Sequence, residues 1–258
     1  MDALIGHTGL VGGTIARART FDASFRATDI DTMRGRSFDL VVCAGVRAEK
    51  WKANQDPDDD RAGIARLTDV LETVRIGHLV LISTVDVYPV PIAVDESTAI
   101  DDAAGQPYGR HRRELERFCT GRFDGTIVRL PGLFGRGLKK NAIYDLLHDN
   151  AIAHINPQSA FQFYDLSRLW TDIEQVRSAG IALVNLSTEP VVMGEVASEV
   201  FHRTLSPLAG AVPARYDMRS IHAERLGGRD GYWYDAAYTR SALARFVADE
   251  GARLAGEK

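Results

Sequence analysis

The chain has 258 residues, 45% of them hydrophobic and 26% charged, with a formal charge of -4. That size suits one large domain, or a main domain with a small lobe, and the balance is that of a soluble chain able to bury a core. The weakly acidic charge gives no general reason to bind nucleic acid or an anionic membrane, no apolar run is long enough to span a bilayer, and the two cysteines make neither a disulfide framework nor a metal-ligand set.

The expected partners are therefore small molecules. "MDALIG" opens directly into a strand-like run rather than a basic, then apolar, leader, so the expected location is cytoplasmic.

Apolar runs and amphipathic segments alternate from the start. "ALI" leads into "GLVGGTIARAR", "FDLVVCAG" into "DDDRAGIARLTDVLETV", "HLVLIS" and a polar stretch into "YGRHRRELERFC", and "GTIVRL" into "KKNAIYDLLHD". Short strands that are apolar on both faces, alternating with helices, predict a Rossmann-type, doubly wound α/β fold with a parallel sheet. In such sheets ligands bind beyond the carboxyl ends of the strands.

The first strand end reads "IGHTGLVGGTI", with Gly6, Gly9 and Gly12 opening a helix. Glycines there allow a tight turn and let backbone approach a pyrophosphate, and the N-H groups at the helix start attract phosphate. Thr8, Leu10 and Val11 belong to the same expected set. A turn that only packs is the alternative.

The second end is Ala44 and Gly45, small residues that either border a ligand or pack a helix. The third, "HLVLISTVDVYP", closes on Ser83, Thr84 and then Asp86. These hydroxyls can hold a substrate oxygen or simply close a turn, and Asp86 can act as a base or cap its own turn. The fourth site is "PYGRHRRELE", where Tyr108 and Arg112 stand one helical turn apart and share a face. A cation beside a phenol lowers its ordinary value of ~10. The same residues also suit a packed tyrosine on a solvated basic helix, and His111 reads as an exposed helix residue.

Taken together, these four sites resemble the extended short-chain dehydrogenase/reductase superfamily, in its NAD-dependent epimerase/dehydratase branch acting on nucleotide sugars. The likeness rests on the GxxGxxG spacing of Gly6, Gly9 and Gly12 and on the site order along roughly residues 2–205. "GHTGLVG" looks most like the turn of the fucose-pathway keto-sugar epimerase/reductases. The resemblance implies NAD(P) as cofactor and a sugar or nucleotide sugar as substrate. Ala44 and Gly45 then lie against the adenosine half, Asp29 near the adenine amino group, and Ser83 and Pro131 beside the cofactor. Arg26, with no acid at the end of "ASFRA", tilts the expectation to NADP.

The resemblance further implies that Thr84 holds the reacting oxygen, Tyr108 transfers its proton, and Arg112 stands where the family pattern Tyr-x-x-x-Lys has lysine. That lysine also hydrogen-bonds the nicotinamide ribose, and the exchange is not conservative. Val85 occupies a place where the dehydratases carry an acid, which favours reduction or epimerisation, with Asp86 moving a second proton.

"VRLPGLFGRGLKKNAIYDLLHD" is similar to the family's "RLPNVYGPG" segment; its basic cluster of Arg136, Lys139 and Lys140 either holds a substrate pyrophosphate or is a solvated run, and Gln162 and Tyr164 are expected at the sugar. The organisation expected is a single domain, 1–258, with a reduced C-terminal substrate lobe mainly within 131–165 and 187–240. No metal is expected, and pairing as a homodimer is open. The competing reading is an NAD(P)-binding sensor of the same fold without turnover.

Overall fold

The computed structural model describes residues 1–207 and 210–256. The chain runs β1 (Asp2–Ile5), α1 (Leu10–Ala18), β2 (Ala23–Phe25), β3 (Ser37–Cys43), α2 (Lys50–Gln55), α3 (Pro57–Leu71) and β4 (Arg75–Thr84). There follow β5 (Ile92–Val94), α4 (Pro107–Arg122), β6 (Gly125–Leu130), β7 (Gly132–Phe134), α5 (Ala142–His148), β8 (Ala160–Phe161) and β9 (Phe163–Asp165). The last elements are α6 (Leu169–Ser178), β10 (Leu183–Asn185), β11 (Val191–Val192), α7 (Met193–Phe201), β12 (Asp217–Met218) and α8 (Ala236–Gly256).

Six strands form the main sheet in the order β10-β6-β4-β3-β1-β2, as the alternating pattern predicts. The pairs β1–β2, β1–β3 and β3–β4 are parallel. From β1 the chain winds outward to β2 and then crosses back to β3 on the other side of β1. That reversal opens a crevice at the carboxyl ends of β1 and β3, where doubly wound sheets bind ligands. Ile5 pairs with both Phe25 and Cys43, so Gly6, Arg26 and Ala44 emerge side by side.

The sequence between β2 and β3 is too short for a covering α-helix, and a single 3-10 turn, Ile30–Met33, makes the crossing. Buried Ile30 and Met33 anchor that turn in the core.

Two compact units divide the chain. The first comprises Met1–Val90, Thr98–Arg129 and Leu169–Val184. Its core gathers Ile5, Phe25, Met33, Val41, Leu67, Leu71, Leu81, Leu115 and Ile127; each such side chain, fully buried, contributes about 1.5–3 kcal/mol. Cys43 lies in the same core, and burial pushes its thiol up to about 11, so it stays protonated and inert.

The second unit comprises Pro91–Ser97, Leu130–Arg168 and Asn185–Lys258. It holds three two-stranded pairs, β7–β9, β8–β11 and β12–β5. Its own core includes Phe134, Ile143, Leu146, Phe163, Met193, Val196 and Leu243.

Candidate active site

The glycine turn is built by contact, not by capping side chains. A Cβ on Gly6 would lie 2.3 Å from the Ala44 carbonyl oxygen, and one on Gly12 would lie 2.2 Å from that of Gly6. Gly6 also has φ +88°, in the left-handed region. These two glycines, with Gly45 against Ile5, let α1 and β3 close on the end of β1.

Gly9 differs. Its nearest neighbour to an added Cβ is the Gly6 oxygen at 3.4 Å, an ordinary contact, so the fold itself does not require glycine there. Gly9 is the N-cap of α1 and has no side-chain cap, and both Thr8 and Gly9 are exposed, with Leu10 and Val11 half-buried behind them. The open backbone at a helix N-terminus fits a pyrophosphate, as the NAD(P) expectation requires. Arg26 leaves the end of β2 exposed. Its backbone N-H and Nε donate to the Asp29 carboxylate at 2.7 and 3.3 Å. Such a surface pair holds Arg26 weakly and lets it exchange partners.

Thr84, Asp86 and Tyr108 meet beyond β4. Thr84 ends that strand, and its hydroxyl accepts from the Asp86 N-H at 3.2 Å, while its proximity to the Tyr108 phenol acts to lower the phenol's titration. The meeting needs Gly109, because a Cβ there would lie 1.8 Å from the Asp86 carbonyl oxygen. Val85 is a core residue. Burial pushes the Tyr108 phenol above its ordinary range. Arg112, Thr84 and Lys50 oppose the rise, while the Asp86 carboxylate adds to it.

Arg112 lies with its guanidinium carbon 3.9 Å from the Tyr108 ring centroid, but its donors point elsewhere. Nη2 donates to Asp60 at 2.8 Å and to the Arg47 carbonyl, while Nη1 donates to Asp60 and to the Tyr108 carbonyl at 3.1 Å. The expected lysine-like reach toward a ribose is therefore corrected: Arg112 is a buried clamp between α3 and α4. His111 is corrected too. It is buried, with Nδ1 2.8 Å from Asp60.

Burial raises the Asp60 carboxyl, but the hydrogen bonds and charges of Arg112 and His111 outweigh it and leave the value below the ordinary one. A lowered folded-state value stabilises the fold above the ordinary carboxylate range, and that stability is lost as pH falls through the folded value. Asp60→Asn is expected to cost about 2 kcal/mol at neutral pH. Urea unfolding of both proteins down to about pH 3 should show the difference shrinking below the ordinary Asp value of about 3.9; a constant gap would contradict the assignment.

The Ser83 side chain takes part in a second network. Its hydroxyl donates inward to Glu116 at 2.6 Å, not toward a cofactor. Glu116, fully buried, further accepts from Arg129 Nε and Nη2 at 2.9 and 2.7 Å and from Arg113 at 2.9 Å. Arg129 Nη1 reaches the Tyr88 hydroxyl at 2.7 Å. This network ties β4, α4 and β6 together beneath the site.

The sequence model described as "NAD dependent epimerase/dehydratase family" matches residues 24–180. The chain belongs to that family. Solved structures agree in fold. UDP-glucose 4-epimerase of Thermotoga maritima, solved with UDP-glucose, superposes with a TM-score of 0.74 at 12% identity, covering 98% of this chain and 100% of that one. RMD of Pseudomonas aeruginosa, complexed with NADPH, gives 0.73 at 17% identity, covering 98% and 99%. A dTDP-4-dehydrorhamnose reductase of Clostridium acetobutylicum gives 0.72 at 15%, covering 96% and 99%. No curated protein sequence matches significantly.

In this epimerase/dehydratase family member the second unit uses some expected substrate residues differently. Gln162 is buried and its amide is committed: Nε2 donates to the Thr188 and Met218 carbonyls, and Oε1 accepts from the Met218 N-H at 2.7 Å. Tyr164 is fully buried, edge-on to Tyr234. Both side chains sit in the core of the lobe, where the short strands need side chains to satisfy and cover them. Arg136 and Lys139 are exposed, and Pro131 is buried.

Reading the sequence missed Lys50, Asn54, Asp60, Glu116 and Arg129. Asp60 lies in the acidic run "DPDDD", which signals a helix start, and nothing in that run singles out the one acid that turns inward. Among the described residues no cluster of three or more metal-binding side chains occurs, and no helix is long and apolar enough to cross a membrane.

Proposed function

We propose that this protein binds NAD(P) across the carboxyl ends of β1, β2 and β3 and uses it to reduce or epimerise a hydroxyl or keto carbon of a nucleotide-linked sugar. The observation that carries the reading is the convergence of Thr84, Asp86 and Tyr108 beyond β4, on the same sheet end as the open Gly9 backbone. When bound, the nicotinamide ring accepts or delivers the hydride.

The chain's own residues do the rest. Thr84 orients the reacting oxygen. Tyr108 gives that oxygen a proton in the reducing direction and takes it back in the oxidising one. Asp86 stands ready to take a carbon-bound proton in an epimerisation. Arg26, exposed at the end of β2, supports NADP. NADPH in the Pseudomonas neighbour supports the same choice, and UDP-glucose in the Thermotoga neighbour supports the substrate class. A cytoplasmic location and pairing of two copies through α4 complete the proposal.

The sensor reading draws on Arg112, whose donors are held by Asp60. It predicts binding without redox change. Titration with NAD, NADH, NADP and NADPH, followed by a scan of keto and hydroxy nucleotide sugars for cofactor oxidation or reduction, separates the two. Binding of none of the four nucleotides would refute both. Gly9→Ala should weaken nucleotide binding at least about tenfold, since a Cβ would meet the phosphate, with the melting temperature unchanged. Equal binding by that variant would move the pyrophosphate away from the turn.

A further inference from the structure

The family pattern puts its cation on the tyrosine helix, yet here both terminal nitrogens of the residue at that place are engaged elsewhere. All four terminal N-H bonds of Arg112 have partners: two on the Asp60 carboxylate and one each on the Arg47 and Tyr108 carbonyls. The guanidinium contributes its charge over the ring face, while both terminal nitrogens are committed to the Asp60 carboxylate and two carbonyls. Arg112 and Asp60 side chains are each 5% exposed, so neither exchanges readily with solvent.

A second cation reaches the same site from another element. Lys50, the first residue of α2, places Nζ 2.7 Å from Asp86 Oδ1, and its side chain is 43% exposed. One helical turn later, Asn54 accepts the Tyr108 N-H at 3.0 Å. Residues four apart share a helix face. The face of α2 that holds the Tyr108 backbone is therefore the face that delivers the Lys50 ammonium to Asp86, whose own N-H bonds Thr84. Four polar groups from three segments thus gather at the phenol: Lys50 from α2, Thr84 and Asp86 at and just past the end of β4, and Arg112 from α4 with Asp60 and His111 behind it.

We propose that Lys50 is the working cation of this site, resting on Asp86 and moving onto bound NAD(P) beside Tyr108, in place of a lysine on α4. This rests on the reading that the site binds NAD(P). In the reducing direction the substrate C=O gains hydride at carbon and the Tyr108 proton at oxygen, leaving a phenolate. The Lys50 charge stabilises that phenolate, in keeping with its opposition to the rise caused by burial. A partly solvated ammonium on a flexible stem exchanges partners easily, which a buried bidentate guanidinium does not. The Asp86 carboxylate is then released from its ion pair only when Lys50 has moved, which couples ligand binding to its availability for proton transfer.

The test compares Lys50→Met and Lys50→Arg with Lys52→Met, an exposed neighbour on the same helix. Calorimetric Kd values for NADPH and NAD are measured. The Tyr108 titration is read by ultraviolet difference spectra between each protein and its Tyr108→Phe counterpart. Lys50→Met is expected to weaken nucleotide binding about tenfold and to raise the Tyr108 titration by about one pH unit. Lys50→Arg should restore the titration, and Lys52→Met should change neither readout.

Wild-type binding with an unaltered Lys50→Met variant in both readouts would overturn the proposal. If the unaltered protein binds no nicotinamide nucleotide, the parent reading fails by itself. In that case an unshifted Tyr108 titration in Lys50→Met overturns the electrostatic role independently. Because Lys50 is partly exposed, its variants are expected to fold, and thermal melts check this.

Discussion

Tyr108→Phe is expected to lower kcat by about 10²–10⁴-fold, the range for removing a positioned general acid or base, while leaving NADPH affinity essentially unchanged. The ring, and so the stacking with Arg112, survives the substitution, as does the backbone bond to Asn54. Only the hydroxyl is lost. The change therefore isolates proton transfer from packing. Steady-state turnover of the substrate found in the nucleotide-sugar scan, with NADPH binding measured alongside, is the check. Full turnover would remove Tyr108 from the chemistry and leave Asp86 as the candidate acid or base.

Glu116→Ala is expected to destabilise the fold by about 3–5 kcal/mol, because it leaves Arg129 buried without its counter-ion. The Arg129 and Glu116 side chains are 2% and 0% exposed, so solvent cannot substitute for the missing carboxylate. Ser83 and Arg113 lose their acceptor at the same time. Urea unfolding at neutral pH measures the effect. Replacing the pair together, as Glu116→Leu with Arg129→Met, should recover much of the loss, because a matched apolar pair carries no desolvated charge. A single-variant loss within about 0.5 kcal/mol, the range for ordinary surface substitutions, would contradict the network.

The two networks differ in what they serve. Glu116–Arg129 fixes α4 against β4 and β6, so it sets where Tyr108 stands relative to Thr84. Asp60–Arg112 fixes α4 against α3 and commits both terminal nitrogens of Arg112. In both cases a charged residue of a helix that reads as basic and solvated is turned into the core by a single long-range carboxylate or guanidinium.

What the sequence by itself determined follows local rules: strand and helix periods, the turn that Gly6 and Gly12 impose, and the placing of Thr84 at a strand end and Tyr108 at a helix start. Each depends on backbone dihedrals or on residues within a few positions, which a pattern records directly. The tertiary structure alone decided who partners whom. Arg112 finds Asp60 across 52 positions, Lys50 finds Asp86 across 36, and Gln162 finds Met218 across 56. Such pairings depend on which helix faces a closed sheet brings together and which charges it shuts away from water. An arginine one turn from a tyrosine reads the same whether it faces a ribose or a buried carboxylate, and only the packing of α2 and α3 against α4 settles the difference.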